Sequence, residues 1–204
     1  MHVISVDPGL DGIGVAVWDA DRFDELRREI RPELAAALRA LAGVFLVTTD
    51  PGDPIDVRLA EIAAEMRRAA EEWQPAIAYV ETPAYTGDYG DDRSRRGNTN
   101  KLYMGLGAVL AGLGSVRPSL HVVTLRAGQE RKSDRRMILE QNARVAGVRL
   151  PEGPRGGERR DEVDAIWIGA YGLTERLHRD LRERRGVLAA PNNVGGGSDN
   201  ALGH

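Results

Sequence analysis

Apolar residues open the chain with the two-residue period of β-strands. They crowd residues 3–6 and then alternate with small residues over 13–18, while Pro8, Gly9 and Gly12 lie between the two stretches. β-Branched residues favour strands, whereas proline and glycine favour tight turns. The pattern therefore predicts an antiparallel hairpin at the start of the chain.

Short apolar stretches and stretches of helical periodicity alternate after the hairpin. The predicted strands cover 44–49, 76–81 and 120–125, and the predicted helices cover 32–42, 56–73, 102–113, 133–146 and 161–173. Residues 19–31 are charged and fit a ragged strand, and the glycine-rich residues 86–100 fit a mobile loop. A hairpin followed by alternating helices and strands predicts an α/β fold with a mixed sheet sandwiched by helices.

The composition is that of an ordinary globular protein, with 204 residues of which 42% are hydrophobic and 29% charged. We expect residues 1–185 to form one domain and the Gly-, Pro- and Asn-rich residues 186–204 to be a disordered tail. No apolar run is long enough to span a membrane and no basic leader precedes the first strand, so we expect a cytoplasmic protein. The absence of cysteine leaves carboxylates and histidines as the available metal ligands.

Positive charge is concentrated in the second half of the chain although the net charge is −3. Residues 126–160 contain ten arginines and lysines against five acidic residues, an excess of five that suggests a phosphate-backbone partner met on one face. Arg131 and Arg135 lie in this stretch. Arg93, Arg95 and Arg96 lie in the predicted loop, where they are either simply solvated or positioned to clamp DNA.

Two predicted strands end in a carboxylate and are followed closely by proline. Asp7 precedes Pro8, and Glu81 precedes Pro83 by two residues. A carboxylate at the tip of a buried strand can hold a metal ion, or it can merely cap a turn. The recurrence of the arrangement favours the metal site.

Two further carboxylates, Asp161 and Asp164, are three residues apart and so project from one face of a predicted helix. Asp161 can serve as an N-cap or pair with a cation, whereas Asp164 lies among apolar residues and needs a partner. Together with the strand-end carboxylates they would form an oxygen-rich site, which favours Mg²⁺ or Mn²⁺ over zinc. Two such ions about 4 Å apart can activate a water and stabilise the leaving oxygen of a phosphodiester.

These motifs resemble those of the RuvC-type Holliday-junction resolvases, within the RNase H-like nuclease superfamily. The matching stretches, spread in order over roughly residues 2–175, are Ile4-Ser5-Val6-Asp7-Pro8-Gly9, Tyr79-Val80-Glu81-Thr82-Pro83 and Asp161-x-x-Asp164-Ala165. The resemblance implies a five-stranded mixed sheet with helices on both faces, and Mg²⁺-dependent cutting of paired strands at a four-way DNA junction. It also implies a homodimer formed through the glycine-bearing helix 102–113, and a place for Lys132 near the scissile phosphate.

The sequence departs from the pattern of this family, and two of the departures, the inserted segment 32–42 and the tail that lengthens the chain, suggest a divergent or phage-encoded member. An aromatic residue on which junction bases stack usually follows the strand-end glutamate closely, but Ala84 stands at that position. Tyr85 or Tyr89 can substitute for it, or can pack on its own domain. The helical segment 32–42 also looks inserted between strands.

Other functions fit parts of the sequence. A nuclease for branched DNA in general, or a catalytically silent DNA-binding relative, would share the same fold. An actin-like or sugar-kinase-like nucleotide binder also opens with an Asp-x-Gly hairpin, but it needs a second lobe with its own glycine-rich hairpin. The chain is too short for two such lobes, so this alternative is disfavoured.

Overall fold

The computed structural model describes residues 1–82, 93–116, 120–126, 132–152 and 161–174. The strands are β1 (His2–Asp7), β2 (Gly12–Asp19), β3 (Leu41–Thr48), β4 (Ile77–Thr82) and β5 (His121–Arg126). The helices are α1 (Ala20–Glu29), α2 (Glu33–Arg39), α3 (Ile55–Trp73), α4 (Arg93–Val116), α5 (Lys132–Ala146) and α6 (residues 161–174). The strands form one sheet in the order β3-β2-β1-β4-β5.

The sheet is mixed. Across it, β3, β2 and β1 pair antiparallel, whereas β1, β4 and β5 pair parallel. β1 pairs antiparallel with β2, which places Asp7 opposite Gly14. β1 pairs parallel with β4, and Val6 lies beside Val80. Asp7 and Glu81 are the next residues of these two strands, so both lie at the edge of the sheet where the strands end. β3 and β5 are the outer strands.

Helices cover both faces of the sheet, as predicted. Alternation along β1 sends Ile4 and Val6 to the core shared with α3 and α4. It sends Val3 to the opposite core, which also contains buried side chains of α1, α2, α5 and α6. The five-stranded α/β fold expected from the resemblance is confirmed.

Residues 20–29 form helix α1, so the prediction of a ragged strand here is wrong. The side chain of Asp19 accepts hydrogen bonds from the backbone amides of Asp21 and Arg22 and so caps the helix. Ala20 and Phe23 are buried against the core. The many charges of this segment lie on the exposed face of a short amphipathic helix.

Other boundaries also differ from the predicted ones. α4 begins at Arg93, so the second half of the predicted loop 86–100 is helical. α5 begins at Lys132, one residue before the predicted start at Ser133, and α3 begins at Ile55, one residue before the predicted start at Asp56. α1 and α2 both lie between β2 and β3, which extends the insertion noted in the sequence.

Residues Met1–Thr174 form one compact unit. The predicted domain end at 185 and the predicted tail 186–204 lie outside the described residues. No helix in the described ranges is both long and apolar enough to cross a membrane.

Candidate active site

Asp7 and Glu81 project from the same face of the sheet, at the edge where β1 and β4 both end. Asp7 shares its face with Ser5, and Glu81 shares its face with Tyr79, because side chains alternate along a strand. The Ser5 hydroxyl donates a 2.8 Å hydrogen bond to the backbone carbonyl of Ala165 in α6. The two carboxylates therefore lie on the face that α6 covers.

The first residues of helix α6 pack directly against Gly12 and Gly14 of β2. A Cβ on Gly14, the residue opposite Asp7, would collide with the backbone of Asp161 and Glu162. A Cβ on Gly12 would lie 2.5 Å from the carboxylate atom Oδ2 of Asp161. The glycines thus allow Asp161 to lie against the hairpin whose first strand ends in Asp7, and the structure brings the start of α6 to the same edge as the strand-end carboxylates.

A buried polar cluster fixes α6 to the sheet one turn further along. The indole Nε1 of Trp18 donates to Ser5 Oγ at 2.9 Å, and the Ser5 hydroxyl donates to Ala165. A Cβ on Gly169 would collide with Trp18 and come within 2.5 Å of Ser5 Oγ. Trp18 is fully buried. Its polar role was missed, although a lone serine in an apolar strand is a signal of such a cluster.

Glu81 lies beside a buried cation. Nη1 of Arg135, on the first turns of α5, is 3.5 Å from Oε1 of Glu81, and the two side chains are 5% and 13% exposed. Arg135 was predicted to be one of the DNA-binding residues. The structure places its side chain in the interior beside Glu81, and the predicted DNA contact stays a prediction. An arginine at this position balances negative charge at the site and holds the carboxylate by charge-assisted contact.

All four predicted carboxylates are half-buried. Across the described ranges, however, no three His, Asp or Glu side chains are grouped closely enough to hold one metal ion. The strand ends and the start of α6 lie at one edge and on one face of the sheet, but the carboxylate oxygens are not close enough together to bind one metal ion. The all-oxygen donor chemistry of these four carboxylates suits a hard divalent cation such as Mg²⁺ or Mn²⁺.

No protein-family model matches the chain. The crossover junction endodeoxyribonuclease RuvC of Synechococcus sp. (strain WH7803) is 24% identical over 183 residues, a match that covers 86% of this chain and all of that protein. The enzyme of the same name from Parasynechococcus marenigrum (strain WH8102) is 24% identical over 182 residues, with the same coverage. T. thermophilus RuvC, solved in complex with a Holliday junction substrate, has a TM-score of 0.60 at 19% identity and covers 87% of this chain and 96% of that one.

The resemblance to the RuvC-type resolvases is confirmed. It extends over most of the chain in sequence and in fold. The match with these two curated RuvC proteins spans the whole of their length.

Several predicted site residues have no described side chain. Tyr85, Tyr89 and Arg131 lie outside the described residues. Lys132 is the first residue of α5, and Arg93, Arg95 and Arg96 lie on the first turns of α4, but only their backbone is described. The DNA-contacting and phosphate-contacting roles expected for these residues stay predictions.

Proposed function

We propose that this chain is a metal-dependent, structure-selective DNA endonuclease that resolves four-way (Holliday) junctions by paired nicks. The observation that carries the proposal is that Asp7, Glu81 and the start of α6, which contains Asp161 and Asp164, lie at one edge and on one face of the sheet. The likeness to proteins named crossover junction endodeoxyribonuclease supports the reaction and the substrate.

The four carboxylates would hold Mg²⁺, for which Mn²⁺ can substitute. Divalent cations bound there would supply the positive charge and the acidified water that phosphodiester hydrolysis requires. The chain's own residues would position the reaction: Arg135 pairs with Glu81, and the glycines of β2 let Asp161 lie against the hairpin whose first strand ends in Asp7. Lys132, at the start of α5, would lie near the scissile phosphate. The products would carry a 5′-phosphate and a 3′-hydroxyl.

The outer face of α4 supports a homodimer formed through residues 102–113. Residues 102–116 contain no charged side chain, yet Leu102, Tyr103 and Met104 are exposed. A Cβ on Gly107 would meet nothing within 4 Å, which leaves this face open to a second backbone. Gly105 and Gly112 lie on the opposite side of α4, where Gly105 packs against Gly9 and Gly112 packs against α3. Two active sites in one dimer would cut two strands of a junction.

Basic residues on two helices are the proposed DNA contacts. Arg93, Arg95 and Arg96 at the start of α4 and Arg131 just before α5 would bind phosphates. Tyr85 or Tyr89 would stack on a junction base.

The proposal is tested by incubating the protein with a labelled four-way junction, or with linear duplex of the same sequence, in Mg²⁺, in Mn²⁺ and in EDTA. We expect paired, near-symmetric nicks in the junction that require metal, and an intact duplex. Cutting of forks and flaps at equal rates would support a broader branched-DNA nuclease. Tight junction binding without cutting in either metal would contradict the proposal and identify a silent DNA-binding relative.

A further inference from the structure

We propose that Arg58 of α3 is a positioning residue of this active site. Its buried guanidinium fixes the turn between β1 and β2, and through that turn it sets the spacing between Asp7 and the glycines on which Asp161 lies. The inference rests on the proposed nuclease function, which gives that spacing its consequence.

The guanidinium of Arg58 is held under the turn by three different groups. Its Nη2 donates to the carbonyl of Leu10 at 3.0 Å, and its Nε donates to Thr49 Oγ1 at 2.9 Å. Thr49 Oγ1 in turn donates to the same Leu10 carbonyl at 2.7 Å. Arg58 also forms an ion pair with Asp11. Arg58 is 5% exposed, whereas the side chain of Asp11 is 68% exposed.

A buried arginine is costly unless its donors have partners, and here two of the partners, Leu10 and Asp11, belong to the turn. Only residues 8–11 separate the end of β1 from the start of β2. Leu10 lies in the middle of this turn, so its carbonyl is within three residues of both Asp7 and Gly12. A shift of that carbonyl therefore moves one or both of the strand ends that carry the site.

The turn is held by hydrophobic contacts as well. The Leu10 side chain is buried in the core with α3 and α4, and a Cβ on Gly105 of α4 would collide with the carbonyl of Gly9. These contacts resist unfolding but leave the backbone orientation adjustable, because hydrophobic contact is non-directional. Hydrogen bonds to one carbonyl from Arg58 and Thr49 remove that freedom. Catalytic side chains need positions accurate to about 0.5 Å, which directional bonds supply.

The test compares Arg58→Met with Arg58→Lys and with Arg67→Met. Arg67 is on the same helix, and its side chain is 63% exposed. Each variant is assayed for cleavage rate at saturating junction, for junction affinity in EDTA, for thermal melting, and for amide exchange by mass spectrometry. Exchange is compared between the segment 8–14 and α5.

For Arg58→Met we expect cleavage to fall about 100-fold, because a displacement on the order of 1 Å has that effect on a positioned site. Junction affinity should not change, exchange should accelerate in 8–14 but not in α5, and Arg58→Lys should recover part of the rate. Arg67→Met should match the wild type. Thr49→Val removes one bond to Leu10 without touching a charge, and it should shift cleavage and exchange in the same direction by a smaller factor.

Cleavage by Arg58→Met at the rate of Arg67→Met would overturn the proposal, as would unchanged exchange in 8–14. If Arg58→Met does not fold, Thr49→Val decides by the same two readouts. A wild-type protein that cuts no junction in either metal would refute the nuclease function instead. The exchange data would then still show whether Arg58 fixes the turn.

Discussion

Nη1 of Arg135 lies 3.5 Å from Oε1 of Glu81, and this pair joins the first turns of α5 to the end of β4 in the interior of the protein. Both side chains are largely removed from water, so each charge depends on its surroundings for compensation. The pair ties one predicted catalytic carboxylate to a helix whose first residue is Lys132. Its removal should therefore affect both stability and cleavage.

Arg135→Met should lower the free energy of unfolding by about 3 kcal/mol, because it leaves Glu81 buried without this counter-ion. Urea unfolding measures the loss. Arg136→Met is the matched control, since Arg136 is the exposed neighbour and pairs with Glu140 at the surface. That control should change stability by no more than about 0.5 kcal/mol.

The double variant Arg135→Met with Glu81→Gln should lose less stability than the sum of the two single variants, because removing both charges leaves neither uncompensated. Strict additivity would show that the two side chains do not interact in solution. Equal losses in Arg135→Met and Arg136→Met would contradict the buried position of Arg135.

Asp7→Asn should abolish metal-dependent cutting of a four-way junction and leave junction binding intact, because it removes a carboxylate of the site and keeps the side-chain shape. Cleavage is followed on labelled junctions and binding by gel shift in EDTA. Asp53→Asn, at an exposed position before α3, is the control and should cut like the wild type. Loss of the circular dichroism spectrum in Asp7→Asn would instead indicate a structural role for Asp7.

Local patterns in the sequence were sufficient to predict the sheet and the elements on which the four carboxylates lie. Alternation and turn residues mark the hairpin that ends β1 at Asp7, and an apolar run marks β4 up to Glu81. The three-residue spacing of Asp161 and Asp164 marks one helix face. These features depend on residues close together in the chain, which is why periodicity reports them.

The contacts between distant segments could not be predicted in this way. Glu81 and Arg135 are 54 residues apart, and Arg58 lies on a helix whose arginines and glutamates suggested a solvent-exposed face. Periodicity shows which side of a helix is apolar, but it does not identify the partner of a charge. Helix α1 was missed because its capping residue, Asp19, resembled one more charge in a charged segment.

Glycines on α4 should respond in opposite ways to the same substitution. At Gly112 a Cβ would meet Met66 Cβ at 2.7 Å and collide with the carbonyl of Ala63. Gly112→Ala should therefore destabilise the protein by about 1–3 kcal/mol through overpacking of α3 against α4. At Gly107 a Cβ would meet nothing within 4 Å of this chain. In the monomer, where no second chain packs against this face, Gly107→Ala should stabilise the helix by about 1 kcal/mol.

Thermal melting compares the two variants at a protein concentration where light scattering gives both the same molecular mass. A difference in melting temperature then reports the stability of the chain and not a difference in association. Equal destabilisation by both would show that Gly107 is packed as tightly as Gly112.

The proposed dimer can be tested on the outer face of α4. Ala111→Glu on this face should convert the dimer to monomers, and Ala64→Glu, at an exposed position of α3, should not. Analytical ultracentrifugation distinguishes the two outcomes.

Ser5→Ala should cost about 1–3 kcal/mol of stability, because it leaves the buried indole N–H of Trp18 without its acceptor and removes the bond to Ala165. Chemical unfolding measures the loss. Since α6 carries Asp161 and Asp164, cleavage by the folded variant should fall as well. Ser115→Ala is the control, because the Ser115 hydroxyl donates to the carbonyl of Gly112, three residues away on the same helix. Equal stability of both variants would show that the Ser5 cluster does not fix α6 to the sheet.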